Sequence, residues 1–274
     1  MSTDTTRHPY GEFEHAGWQR AAAAYADTFG RVSSSFIPDL LDSVGIHAGI
    51  DLLDVACGPG LVSAAAAARG ARVTGVDFAA NMVTQARHRH PALTFQEGDA
   101  EALPFAYASF DAVVIGFGLH HFPSPGRALG EARRVLRGGG RLGFTTWAPP
   151  EDHVMHQIVV GAVREAGDAG AALPVAPGGP VNQTDICLRM LKEAGFDVAH
   201  CGAQVIRTHL RLESAAELIG MLEAGTVRLS TTLRSQPADK TAAIHAAVER
   251  NMATYRDANG YRFPVAAILG TAAK

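Results

Sequence analysis

The chain is poor in cysteine, with Cys57, Cys187 and Cys201 only. So sparse and odd a set excludes a paired disulfide framework and fits a reducing compartment. No apolar run approaches the roughly 20 residues that a bilayer-crossing helix needs, and the alanines of 64–68 are too few and read as helix. The first residues are polar and threonine-rich, so no secretory leader is expected and the cytoplasm is the expected location. Neither sign of charge dominates: 24 Lys and Arg stand against 27 Asp and Glu, a net charge of −3. That balance lacks a basic footprint, so nucleic acid is not an expected partner. The short basic clusters at Arg87-His88-Arg89 and Arg133-Arg134 read as solvated helix faces. Metal-ligand spacing is lacking as well. His153 and His156 sit three apart, like half a site, and no third ligand matches them, so no metal is expected. Internal repeats are absent.

What is present suits a packed α/β domain. Of 274 residues, 47% are hydrophobic and 19% charged, ample for a sizeable core. Leu52-Leu53-Asp54-Val55-Ala56-Cys57-Gly58-Pro59-Gly60 reads as a short buried strand running into a sharp turn. Leu61-Val62-Ser63 and the alanines then begin a helix. A strand, a glycine turn and a helix in this order build a nucleotide cradle, because glycine lets the backbone approach a ligand closely. The next strand, Arg72-Val73-Thr74-Gly75-Val76-Asp77, ends in a carboxylate. At that place in a doubly wound sheet an acid lies beside the ribose of a bound nucleoside. A helix-capping role for Asp77 is the plainer alternative.

Dinucleotide enzymes and S-adenosylmethionine (SAM) enzymes share this geometry. The dinucleotide pattern wants a third Gly or Ala where this chain has Ser63. Asp54 followed by Cys57-Gly58-Pro59-Gly60 instead resembles motif I of the class I SAM-dependent methyltransferases, with Ala56 in the place of that family's first glycine. The resemblance continues over about residues 45–147. The segment Phe95-Gln96-Glu97-Gly98-Asp99-Ala100-Glu101-Ala102-Leu103-Pro104-Phe105 is similar to the family's third-strand segment. Ser109 to Ile115 is similar to its fourth strand, Leu119-His120-His121-Phe122 to its Leu-His-His segment, and Glu131 to Gly140 to the helix and glycine turn before strand five, Arg141 to Trp147. It is nearest the small-molecule branch typified by the ubiquinone/menaquinone-biosynthesis methyltransferases.

The resemblance implies a Rossmann-like, doubly wound, mostly parallel seven-stranded sheet in a single domain. Its core would cover about 46–147, 196–212 and 259–274. Segments 1–45, 148–195 and 213–258 would add a helical cap from N-terminal and C-terminal insertions. Within these, helices are expected at about 18–29, 35–44, 153–166, 184–195, 214–234 and 238–257. Residues 1–15 are expected to be poorly ordered or a flexible lid, and 167–180 to be a loop. Strands at about 196–210 and 262–270 would form the family's closing antiparallel pair.

The implied cofactor is SAM and the implied partner a small-molecule methyl acceptor. Asp54 would orient the glycine turn and a water or the cofactor's amino group, with Ala56, Cys57, Gly58 and Gly60 approaching through their backbones. Phe78 and Met82 would sandwich the adenine, and Asp99, between Gly98 and Ala100, would accept from its amine. Gly116 and Phe117 would lie where the methyl is presented, Phe117 also lining the acceptor pocket, and Tyr25 would reach the cofactor from the N-terminal helix. His120 and His121 are the candidate general bases, since histidine titrates near neutrality; structural packing is the competing role. His153 and His156 are candidate acceptor contacts. For each apolar residue named, ordinary core packing is the alternative. A SAM-binding protein that uses the cofactor without methylating would carry the same motifs. The acceptor atom stays open among O, N, S and C, and a homodimer through the N-terminal and cap helices is one option.

Overall fold

The computed structural model describes residues 8–168, 170 and 172–274, the side chain of Pro150 excepted. The order of elements is α1 (Pro9–Tyr25), α2 (Gly30–Ser34), α3 (Ile37–Ser43), β1 (Asp51–Val55), α4 (Leu61–Ala68), β2 (Arg72–Asp77), α5 (Ala80–Arg89), β3 (Thr94–Glu97), β4 (Phe110–Gly116), α6 (Pro125–Val135), β5 (Leu136–Trp147), α7 (Val154–Ala166), α8 (Thr184–Glu193), β6 (Gly202–Leu212), α9 (Ala215–Gly225), α10 (Arg228–Arg234), α11 (Ala238–Met252), β7 (Arg256–Asp257) and β8 (Gly260–Ala273).

The strands run β3-β2-β1-β4-β5-β8-β6 across one sheet, and the two-residue β7 pairs off the end of β8 as an eighth. Pairing is parallel from β3 to β5 and antiparallel where β8 enters between β5 and β6. This is the mostly parallel, doubly wound sheet expected, with its closing antiparallel pair. The central strands read as unbroken apolar runs because both of their faces are covered. Leu53, Val113, Ile115 and Leu142 pack on one face with α6 and α8; Leu52, Ala112 and Val114 pack on the other with α3 and α4. A third apolar cluster joins α7, α9 and α11 to β8 and takes in Phe29, Phe36 and Phe117. That cluster ties the added helices to the sheet.

Several boundaries differ from expectation. Helix α1 begins at Pro9, within a stretch expected to lack order; residues 1–7 lie outside the described part. Proline is tolerated at the first helical position because the amide it lacks is unpaired there anyway, and His8 Nδ1 accepts from Tyr10 N at 3.1 Å as an N-cap. The helix expected over 214–234 is two. Gly225 closes α9 in tight contact with Phe29, and Thr226 is extended before α10 begins. Pairing of β4 with β5 jumps from Phe110–Leu136 to Ala112–Arg141, so Arg137 to Gly140 bulge out as the expected glycine turn. Among the described residues no helix is long and apolar enough to cross a membrane.

Candidate functional site

Ligands of open α/β sheets bind beyond the carboxyl ends of the strands, where the strand order reverses. Here β1 is flanked by β2 on one side and β4 on the other, and this end of the sheet gathers buried acids. Asp54, Asp77, Glu101 and Glu14 are all buried. A buried charge is costly unless paired, so such a concentration marks a functional place.

Two adjoining cavities open here. The larger, of ≈ 740 Å³, is lined by the glycine turn (Ala56, Cys57, Gly58, Pro59), Asp77, Phe78 and Met82, the β4 end (Gly116, Phe117), Thr145 of β5 and His121. Its roof is Trp18 and Tyr25 of α1 with Ser33 of α2, Phe36 of the turn that follows, and Ile37 and Leu40 of α3. The smaller, of ≈ 390 Å³, is lined by Gly98, Asp99, Ala100, Glu101, Val76 and Gly11. The two share Ala56, Asp77, Phe78, His121 and Phe122 as a common wall.

The turn itself is held by Asp77. Its Oδ2 accepts from Gly58 N at 2.8 Å and its Oδ1 from Ala79 N at 2.9 Å. The carboxylate therefore fixes the turn and the approach to α5 while facing both cavities. Burial pushes it up to about 6 against those two amide bonds. Asp54 lies under the turn, outside the cavity lining. Ser63 Oγ donates to its Oδ2 at 2.6 Å, and its Oδ1 is buried without a partner. Burial, with Asp77's charge adding to it, pushes Asp54 up to about 7 against the Ser63 bonds. Ala56, in the place of the resembled family's first glycine, has φ +55°, in the left-handed region glycine favours. Phe117 shares that conformation at φ +55°, and its N donates to Thr145 O at 3.1 Å. Such strain clusters at functional sites. The Phe117 ring stacks on Trp147 at 4.1 Å.

Cys57 is packed with Val83, Ala86 and Phe95. Burial and the charges of Asp77 and Asp54 push its thiol well up, so it is no nucleophile. Gly60 has φ +87° and lies against His90 and Phe95 rather than in the lining; a Cβ there would come within 2.9 Å of both rings. Tyr25 lines the cavity and its hydroxyl bonds Ser33 Oγ at 3.0 Å. His121 lines both cavities, whereas His120, His153 and His156 lie outside either lining. His120 Nδ1 pairs with Thr146 Oγ1 at 3.3 Å, and burial, with His121 and His153 nearby, drives its pKa well below normal. His153 sits edge-on against Trp147 at 5.0 Å, behind Phe117, and burial lowers it to about 4. Among the described residues no group of three or more His, Cys, Asp or Glu is placed to hold a metal.

Sequence reasoning missed Glu14, Trp18 as a lining residue, Phe36, Val62 and Thr145. The signal was the stripe Tyr10, Glu14, Trp18, Ala22, at spacing four, which marks one helix face. It lay hidden because the helix was expected to start only at Trp18.

An adenosyl sulfonium ligand fits this donor set. Asp77 lines both cavities, Asp99 lines the smaller one, and Phe78 and Met82 line the larger. Asp54 Oδ1 is left for a donor brought by ligand or water. Strand order and site together resemble those of class I, Rossmann-like SAM-dependent methyltransferase domains. Residues 53–144 match the family described as methyltransferase domain. Over 116 residues the chain is 46% identical to a demethylmenaquinone methyltransferase of Beutenbergia cavernae, covering 40% of this chain and 48% of that one. The match thus spans about half the length of that curated relative. In structure the chain is similar to a Bacillus halodurans protein assigned as a methyltransferase (TM-score 0.56, 24% identity, 88% of this chain and 99% of that one). It is also similar to the [4+2]-cyclase SpnF (TM-score 0.52, 22% identity, 88% and 81% covered). The domain thus resembles the quinone-biosynthesis methyltransferases, and the last comparison shows that the fold alone does not decide the reaction.

Proposed function

We propose that the chain binds SAM across the two cavities and methylates a small, largely apolar, quinol-like acceptor in the larger one. The observation that carries this reading is the shared wall of Ala56, Asp77 and Phe78 between a cavity ending at Asp99 and one roofed by aromatic side chains. A nucleoside sized to reach from Asp99 to the glycine turn presents its far end beneath Phe117, Trp18 and Tyr25. The B. cavernae relative's name supports a quinone-like acceptor.

When bound, SAM supplies a methyl on a positively charged sulfur, open to in-line displacement. The chain's own residues do the rest. Asp77 and Gly58 hold the turn, Asp99 reads the base, and Phe78 and Met82 flank it. The left-handed Phe117 and the adjacent Gly116 bring β4 close to the reacting end. Trp18, Tyr25, Phe36 and Phe117 align a planar acceptor and exclude water; alignment of this kind supplies much of the acceleration of a two-reactant step. On this reading the protein works in the cytoplasm with two small molecules and no nucleic acid, and light scattering tests the homodimer option.

The test is calorimetry with SAM and S-adenosylhomocysteine, followed by labelled SAM against a panel of hydroxylated aromatic acceptors. Saturable binding and methylated product support the proposal. Binding without S-adenosylhomocysteine formation would leave a non-methylating SAM protein, and no binding would end the reading altogether.

A further inference from the structure

Glu14 is fully buried in α1, and the function proposed above gives it no work. Its Oε2 lies 2.9 Å from His121 Nδ1, and its Oε1 is buried without a hydrogen-bond partner. A lone carboxylate taken out of water costs several kcal/mol and persists where something repays it. His121 is the half-buried partner, and its ring lines both cavities. Trp18 packs edge-on at 4.9 Å and the tilted His120 ring lies at 4.0 Å, fixing the ring plane. We propose that Glu14 and His121 form a proton-accepting dyad for an acceptor whose nucleophile is a weakly acidic hydroxyl, a phenol or enol, with Glu14 as the positioning residue.

An ionised carboxylate only accepts, so Nδ1 carries the proton in that bond. Nε2 is then the bare nitrogen on the cavity-lining ring. The remaining ionisable groups nearby are Tyr10 and His15 of α1, Asp77 at the end of β2, His120, and Asp99 and Glu101 of the smaller cavity. Burial and Glu14's charge push Tyr10 up, and its hydroxyl donates to His120 O at 2.7 Å, so it stays neutral. His120 stays neutral too. Of these only Asp77 lines the larger cavity, and its two oxygens already accept from Gly58 N and Ala79 N, which leaves His121 as the base on that cavity's wall. The mainly aromatic and aliphatic lining disfavours an acceptor that arrives charged. It favours a neutral O–H, which becomes a good nucleophile only as its proton leaves.

The step balances as follows. The acceptor O–H proton passes to Nε2 while the oxygen keeps the bonding pair. The oxygen then forms the bond to the methyl carbon, and the pair of the breaking carbon–sulfur bond stays on sulfur as a neutral thioether. The imidazolium left behind is paired with Glu14 until it loses its proton to solvent. This inference rests on the reading of the cavity as a methyl-transfer site.

The deciding measurement needs neither cofactor nor acceptor. Nitrogen-15 chemical shifts of the His121 ring in the whole chain report its tautomer. The wild type is expected to show Nδ1 protonated and Nε2 bare, and Glu14→Gln to shift the ring toward Nε2–H, because the amide can donate to Nδ1. Glu14→Asp is expected to restore the wild-type tautomer in part. A wild-type ring protonated on Nε2, or a tautomer unmoved in Glu14→Gln, overturns the proposal; the wild-type spectrum decides even if the variant fails to fold. With labelled SAM and 1,4-dihydroxynaphthalene as probe, Glu14→Gln is expected to lower kcat roughly 10- to 100-fold and flatten the acid limb of the pH profile while SAM affinity holds. Unchanged kcat in the variant overturns the dyad. Loss of SAM binding in the wild type would instead strike the proposed function and leave the tautomer result standing.

Discussion

Two carboxylates raised by burial, Asp54 to about 7 and Asp77 to about 6, make the ligand-free site proton-dependent. Their unfolded values are near 3.9. A group raised on folding contributes stability in full below its unfolded value and loses it as pH rises through the folded one. Relative to the wild type, Asp54→Asn is therefore expected to gain stability as pH climbs from about 4 to 7, read from paired thermal melts; a pH-independent difference would count against it. A cationic ligand favours the ionised carboxylates, so SAM binding is expected to strengthen through the same range and to release protons near pH 6. Calorimetry in buffers of different ionisation enthalpy measures that release. Close packing at this scale is equally specific. A Cβ on Gly118 would lie 2.7 Å from that of Ala56 and 3.0 Å from Ile115 Cγ2. Gly118→Ala is expected to cost about 1–3 kcal/mol, and less in the Ala56→Gly background. A denaturation double-mutant cycle reads the coupling, and strict additivity would refute the contact.

Helix α1 is the element on which the site depends most, since it carries Glu14, Trp18 and Tyr25. Its seat is narrow: a Cβ on Gly17 would stand 2.3 Å from Val227 Cγ1 in the α9–α10 junction. On its other side Gln19 Oε1 accepts from Asn81 N at 2.8 Å, tying α1 to α5. Gly17→Ala is expected to lift α1 and weaken SAM binding about tenfold, the order that 1.4 kcal/mol of lost closure gives. Val227→Ala in the same chain is expected to recover most of it, and calorimetry on the single and double variants decides. The elements show also where sequence is informative. Strands β1, β2 and β4, the glycine turn and the acid at the end of β2 were legible, because parallel strands buried on both faces carry long apolar runs and turn residues have steric causes. The start of α1 was not, since Pro9 and Gly11 read as breakers until proline's place in the first turn is known. Glu14 was hidden for a related reason. A lone acid on a helix looks like a solvated residue, and only the fold shows that its face is covered. His153 and His156 share a helix as expected, but which side of Trp147 they fall on is set by packing of α7 against β8, a long-range matter outside any local pattern.

At the scale of the whole molecule, the sheet supplies the floor of the site and the added helices its roof. Trp18 and Tyr25 of α1, with Phe36 in the turn before α3, lie over a cavity whose base is the ends of β1, β2 and β4. A ligand held between floor and roof touches both, and so couples two parts that otherwise meet through the apolar cluster around Phe29, Phe36 and Phe117. The roof owes part of its hold to exposed polar ties such as Arg89 Nη2 to Asp27 Oδ2 at 2.6 Å, a kind worth about 0–1 kcal/mol, so it is expected to be the part that opens first. S-adenosylhomocysteine at 100 times its Kd would stabilise the folded state by about 2.7 kcal/mol, a rise of roughly 5–10 °C in Tm for a chain of this size. The location of that stabilisation is the sharper expectation. Hydrogen exchange should slow most in 9–25 and in the turn at 56–60, and little in β6 and β8, which line neither cavity. Uniform slowing across all elements would mean that the ligand stabilises the fold as a single unit, and the division into floor and moving roof would fall.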